Sequence, residues 1–202
     1  MPLTPGDVFL DLGCGAGGPT IWIAESTGAS GIGVDGSVVA LESAQRLAHT
    51  RRVSDRMRFV HADLTATGLG DSSVDGVMSI DSLMFVDPFA ASAEIARVLR
   101  VGKKAVVRVV ESVVEPFTPT IVADYRPIFS NAGLTTVRHE EVHDYRSRSV
   151  AFFRAIAQRA DSIRSEIGSL AEILISDATD SLEKASRPPR VRTVYIEMIR
   201  ER

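Results

Sequence analysis

Three aspartates, Asp11, Asp35 and Asp63, each follow a short apolar run, and a glycine-dense turn (Gly13, Gly15, Gly17, Gly18) follows the first. Carboxylates in such places accept hydrogen bonds from ammonium, hydroxyl and amino groups, while glycines let a backbone approach a ligand closely and take φ > 0. In VFLDLGCGAGGPT, residues 8–20, the apolar start reads as a strand ending in Asp11 and the following TIWIAES as the start of an amphipathic helix. A strand, a glycine turn and a helix N-terminus with unpaired N–H groups form a cradle for a nucleotide-like ligand. Alone, Gly13-x-Gly15-x-x-Gly18 also fits the dinucleotide fingerprint.

The elements that must position these residues alternate. A helix over Pro19–Thr27 stops at Gly28, and a second strand, Gly31–Val34, ends in Asp35. Ser37 is placed to N-cap a helix reaching Arg52, with Leu41, Ala44, Leu47 and Ala48 at helical spacing. A third strand, Arg58–Val60, runs into His61-Ala62-Asp63, and a fourth covers Val74–Ile80. Pro88 suits the first turn of a helix to Leu99, and Lys104–Val110 reads as a fifth strand before an irregular stretch with Pro116 and Pro119. Thr120–Asn131 reads as a helix, Gly133 as its left-handed terminus and Leu134–Val142 as a sixth strand. Two helices, Ser149–Gly168 and Leu170–Lys184, separate that strand from the last, Arg192–Met198. The pattern gives an α/β class: a Rossmann-like, doubly wound, mostly parallel sheet in one domain, 1–202, with a helical insertion (149–185) before the last strand.

Composition narrows the partners. The 202 residues carry a formal charge of −3, with 24% charged and 45% hydrophobic residues. That balance and a pI near 5.8 give no footprint for nucleic acid or an anionic membrane. The single cysteine, Cys14, excludes an intrachain disulfide and reads as a small residue filling the turn. No apolar run is long enough to span a bilayer and no signal-peptide pattern is present, so a soluble, cytoplasmic protein is expected. The four histidines lack metal-ligand spacing, and no metal is implied. Trp22 reads as helix-to-sheet core; Phe152 and Phe153 read as core or pocket lining.

The three acids narrow the ligand. Asp35 lies about 20 residues beyond the glycines, where an acid accepts from ribose hydroxyls. Asp63 is placed for an adenine amino group and Asp11 for an amino-acid ammonium group. An amine, a ribose and an adenine without a pyrophosphate describe S-adenosylmethionine.

At these residues the chain resembles the class I S-adenosylmethionine-dependent methyltransferases of the small-molecule, type 11-like group. VFLDLGCGAGGPT resembles the family's (V/I)LDxGCGxG motif, GIGVDGS its ribose segment, FVHADL its adenine segment and VDGVMSIDSLMFV its fourth strand and loop. ARVLRVGKKAVV resembles the helix and strand that usually read LxPGG, and Arg192–Arg200 an antiparallel last strand. The resemblance implies a cofactor site of Asp11, Gly13, Cys14, Gly15 and Gly17, then Asp35, Gly36 and Ser37, then Ala62, Asp63 and Leu64, then Ile80 and Asp81. S-adenosylhomocysteine would be the product. Several members carry a histidine in the loop after the fourth strand; here Met84 and Phe85 stand there, and Asp81 becomes the candidate catalytic residue at the methyl-transfer centre. The N/D-P-P-Y/F motif of nucleobase amine methylation is absent.

The resemblance also implies that the insertion covers an acceptor pocket, and Phe152, Phe153, Ile156, Leu170, Ile173 and Leu174 point to an apolar or mixed small-molecule acceptor, such as a secondary metabolite, methylated on N, O or C. Family members carry helices ahead of the first motif; here a short MPLTPG lead precedes it, so a cover from elsewhere, an open site or a truncated start is expected. A homo-oligomer is left open. Two other readings stand beside this one: a non-catalytic S-adenosylmethionine-binding or interaction protein, and an NAD(P)-dependent oxidoreductase, which the glycines allow but Asp63 does not support.

Overall fold

A computed structural model describes residues 2–114, 118–168, 171–185 and 189–201. Pro116 and Leu170 lie outside them. Seven strands, β1 (Val8–Leu12), β2 (Ser30–Asp35), β3 (Met57–His61), β4 (Val74–Ile80), β5 (Leu99–Ser112), β6 (Leu134–Glu141) and β7 (Val191–Arg200), form one sheet in the order β3-β2-β1-β4-β5-β7-β6. Strands β1 to β5 pair in parallel, and β7 runs antiparallel to both of its neighbours. The order reverses between β1 and β4, and the crevice at such a switch point is where open α/β sheets bind ligands.

Alternation along β1 assigns the two faces. Leu10 and Leu12 join a core with Ile95 of helix α3 (Pro88–Val98) and Phe129 of α4 (Arg126–Asn131). Phe9, between them, points the other way and packs with Ala24 of α1 (Gly18–Thr27) and Met78. Helix α2 (Val38–Thr50) adds Ala48 against Ile21 of α1. Local chemistry sets the ends of these helices. Gly28 closes α1 at φ +75, the Ser37 side chain accepts from the Ala40 N–H, and Asp87 caps α3 ahead of Pro88.

Three elements differ from the sequence expectation. β5 is 14 residues long, because Leu99–Lys103 continues as strand: Leu99 pairs with Val74, and the irregular register absorbs Gly102 at φ +77. The helix expected over Thr120–Asn131 is six residues, with Pro127 in its first turn; upstream of it, the Tyr125 N–H donates to Glu111. The helix expected over Ser149–Gly168 begins earlier and breaks in two, α5 (Tyr145–Gln158) and α6 (Ala160–Ile167), at the non-helical Arg159. Helix α7 (Ala171–Ala185) then packs on α5, so the insertion between β6 and β7 is a three-helix unit. Trp22 is 64% exposed rather than core: α1 buries Thr20, Ile21 and Ala24, which leaves Trp22 on the outer face.

Candidate active site

The turn after β1 hooks over β2, with the Gly13 and Cys14 N–H groups both donating to the Val34 carbonyl at 2.8 and 3.0 Å. Gly13, Gly15 and Gly17 all take positive φ. Gly13 is the tightest: a Cβ there would lie 2.2 Å from the Ser82 Cβ. Ser82 is fixed in turn, its hydroxyl donating to the Leu12 carbonyl at 2.7 Å beside the Ser79 hydroxyl, which donates to the same carbonyl at 2.8 Å. At Gly17 a Cβ would press on Ala44, so this residue lets α2 approach α1.

A cavity of about 420 Å³ opens at the carboxyl ends of β1 to β4. Of the expected residues, it brings together Gly13, Asp35, Gly36, Ala62, Asp63, Leu64, Ile80 and Asp81. Ser82 and Phe85, absent from that expectation, complete its wall, and Phe85 is 78% exposed. The Asp35 carboxylate accepts from the Gly15 N–H and the Ser37 N–H, both at 2.8 Å, so the turn and the start of α2 aim it. Asp63 accepts from the Thr65 N–H and hydroxyl, both at 2.7 Å, which holds its carboxyl below the usual range. Gly15, Gly17 and Ser37 thus shape the site from behind. Cys14 is buried facing Gly33, and burial pushes its thiol up to about 12, which rules out a thiolate at neutral pH.

Asp11 is also set back: it is 2% exposed and accepts from the Thr20 hydroxyl at 2.5 Å. No spacing rule singles out Thr20. Burial raises the Asp11 pKa to about 7; the Thr20 hydrogen bond opposes the rise and the Asp35 charge adds to it. A raised acid holds an extra proton in the folded state between its unfolded value and about 7, so stability falls as pH rises through that window and levels off above it. The full span is roughly 4 kcal/mol. Asp11→Asn removes the titration. Its stability gain over the parent should widen by roughly 2–3 kcal/mol from pH 5 to pH 8 in denaturant titrations, and an unchanged gap would refute the buried-acid account.

Asp81, at the end of β4, takes φ +56, unusual for a residue with a side chain. Three bonds hold it: Arg108 Nε donates to Oδ1 at 3.0 Å, Arg108 Nη2 to Oδ2 at 2.5 Å, and the Tyr145 hydroxyl to Oδ2 at 3.1 Å. The Arg108 guanidinium also lies 5.0 Å from the Tyr145 ring centre. Asp81 is therefore a paired carboxylate that bridges the sheet to α5. Beyond it lies a second cavity of about 520 Å³, walled by Arg108, Tyr145, Ser149, Phe152 and Phe153. Phe152 is 60% exposed at its rim, and Phe153 meets it edge-on at 5.4 Å.

Elsewhere, Glu111, Asp124 and His139 bring ligand atoms within 4.8 Å of one another. Arg192 and the Tyr125 N–H engage Glu111, His139 contacts it at 3.0 Å, and Arg126 engages Asp124. Those partners define a structural ion-pair network.

This architecture agrees with the comparisons to known proteins. Residues 10–107 match the family model of a methyltransferase domain. Methyltransferase GfsG of Streptomyces halstedii is 35% identical over 103 residues, 50% of this chain and 37% of that protein, so the match spans well under half of the curated relative. The solved phosphoethanolamine N-methyltransferase 2 of Haemonchus contortus, in complex with S-adenosyl-L-methionine, superposes with a TM-score of 0.84 at 18% identity, covering 100% of this chain and 50% of that one. The [4+2]-cyclase SpnF superposes with a TM-score of 0.82 at 22% identity, covering 98% of this chain and 76% of that one. Residues 10–107, just under half of the chain, thus resemble a methyltransferase domain, and the whole chain shares the fold of these solved structures.

Proposed function

We propose that this chain transfers a methyl group from S-adenosylmethionine to an N, O or C atom of a small organic acceptor in the cytoplasm. One observation carries the reading: a single cavity at the switch point collects Gly13 from the turn after β1 with Asp35 at the end of β2, Asp63 after β3 and Asp81 after β4. The donor set suits that cofactor. Asp35 is aimed by two N–H groups and keeps lone pairs for the ribose hydroxyls, while Asp63 stands for the adenine amino group beside the apolar Ala62 and Leu64. Asp11, expected near the ammonium group, acts from behind the turn through Thr20.

Bound S-adenosylmethionine supplies an already activated sulfonium methyl, so the protein's task is positioning and exclusion of water. Asp81 remains the candidate catalytic residue. Paired with Arg108 and bonded by the Tyr145 hydroxyl, it is held in the wall of the first cavity with both of its oxygens engaged, so its role is positional. The acceptor then occupies the second cavity, with the insertion (149–185) as its cover. That wall carries two phenylalanines and Tyr145 beside Arg108, which favours a mixed apolar and polar acceptor. No helix among the described residues is long and apolar enough to cross a membrane.

Calorimetric titration with S-adenosylhomocysteine, with NAD⁺ in parallel, tests the reading. Saturable binding of the first ligand alone is expected. Asp35→Ala should weaken it by about 2 kcal/mol, roughly 30-fold, as hydrogen bonds to a charged group are lost. Failure to bind S-adenosylhomocysteine, in a sample folded by circular dichroism, would overturn it.

A further inference from the structure

Between α5, α7 and the start of β7 lies a third cavity of about 740 Å³, the largest of the three and within the range that small organic ligands occupy. It meets the second cavity along one stripe of α5. Tyr145, Ser149 and Phe153 line both, and their spacing of four residues puts them on one face of the helix. At 1.5 Å per residue the stripe runs about 12 Å, and at its Tyr145 end the hydroxyl reaches Asp81 in the wall of the first cavity.

The charges around the two cavities are committed inside the protein. In the second, Arg108 is held by Asp81 and Arg148 by Asp144. In the third, Arg192 is turned to Glu111, Arg146 donates to the Ala185 carbonyl at 2.7 Å, and Arg190 is likewise engaged within the chain. Glu141 and Lys184, the other acid and amine of its described lining, are exposed and opposite in sign. What the third cavity offers a ligand is half-buried apolar surface, from Val110 of β5, Val150 and Phe153 of α5, Ala185 of α7 and Val191 of β7. An ion entering such walls loses hydration without gaining a counterion, whereas a neutral apolar chain gains burial throughout.

We infer that the second and third cavities form one site for a neutral, elongated, largely apolar molecule laid along the Tyr145–Ser149–Phe153 stripe. Taking that molecule as the methyl acceptor rests on the methyl-transfer reading; the binding itself requires no cofactor. As the acceptor, it carries its reacting atom at the Tyr145 end and its apolar body in the third cavity.

Decanol, decanoate and decyltrimethylammonium share one chain length and differ in charge. They are titrated into the full chain by calorimetry, at concentrations that leave its circular dichroism unchanged. Decanol should bind saturably at one site, about 10-fold or more tightly than either ion. Hexanol, too short to cover the stripe, should bind about 100-fold more weakly than decanol. Val150→Trp on α5 and Ser181→Trp on α7 fill the third cavity from opposite sides, at positions that do not line the second. Each should weaken decanol about 10-fold or more while S-adenosylhomocysteine affinity and the urea midpoint stay unchanged. Phe152→Ser, at the rim of the second cavity alone, should weaken decanol several-fold. No decanol binding, ions bound as tightly as decanol, or decanol binding indifferent to both tryptophan variants overturns the inference. S-adenosylhomocysteine binding without decanol binding refutes this inference alone; the reverse result refutes the methyl-transfer reading and leaves the neutral-ligand site standing.

Discussion

Gly13→Ala is expected to destabilise the chain by about 3 kcal/mol or more and to abolish S-adenosylhomocysteine binding. Two penalties coincide at this residue. Its φ of +84 lies in the left-handed region, and its new Cβ would fall 2.2 Å from the Ser82 Cβ and 2.4 Å from the Ser82 Oγ. Ser82 cannot yield cheaply, because its hydroxyl ties the loop after β4 to the Leu12 carbonyl and contacts the Ser79 hydroxyl at 2.6 Å. Moving it displaces the segment that carries Asp81 and Phe85, so binding fails together with stability. Gly15→Ala is the control. Gly15 also has positive φ, +51, but a Cβ there meets nothing within 4 Å, so only the backbone penalty of about 1 kcal/mol remains. Equal losses for the two variants in denaturant titrations would show that conformation, and not the Ser82 clash, governs the turn.

Glu111→Ala should cost about 3–5 kcal/mol, the range for breaking a buried ion pair from one side. Glu111 is fully buried at the end of β5, where it joins three other parts of the fold. Its Oε2 accepts from Arg192 of β7 at 2.9 and 3.1 Å; its Oε1 accepts from the Tyr125 N–H ahead of α4 and meets His139 of β6 at 3.0 Å. Alanine leaves Arg192 without this counterion and the Tyr125 N–H without an acceptor. Glu111→Gln, which can still accept at one atom, should cost clearly less, and Glu111→Ala combined with Arg192→Met should recover part of the loss. A loss below about 1 kcal/mol for Glu111→Ala would mean that water replaces these contacts and the network is not buried in solution.

The legible parts of this protein are those governed by short-range backbone chemistry. Gly28, Ser37 and Pro88 mark helix ends through φ, a side-chain acceptor and a missing N–H, each a property of one residue. Asp35, which ends β2, and Asp63, two residues beyond β3, both stand in the cavity wall. What escaped depends on distant partners. The RVGKK segment has turn-like residues, yet it continues as strand between Leu99, which pairs with Val74, and Lys104, which pairs with Gly76 and Ile199. Arg108 and Tyr145 lie 27 and 64 residues from Asp81 in the chain, beyond the reach of any spacing rule. Trp22 escapes the sequence reading because α1 is not the amphipathic helix expected: its apolar and polar residues do not segregate to opposite sides, and Thr20 is buried while Trp22 is exposed.

The position of β7 bears on how the molecule is assembled during synthesis. It follows every other strand in the chain, yet it is not an edge strand: it lies between β5 and β6 and supplies both of their antiparallel ladders. Until residues 191–200 emerge from the ribosome, β5 has a ladder on one side only and β6 has none. The edges of β5 and β6 that β7 later covers are therefore open in the nascent chain, and unpaired edges invite pairing with other chains. The final step is a long-range insertion of one strand into a gap, a slow class of event because loop closure precedes its reward. A ribosome stalled before residue 191 would hold a half-finished sheet, and that species, more than the finished fold, is where chaperones would be needed.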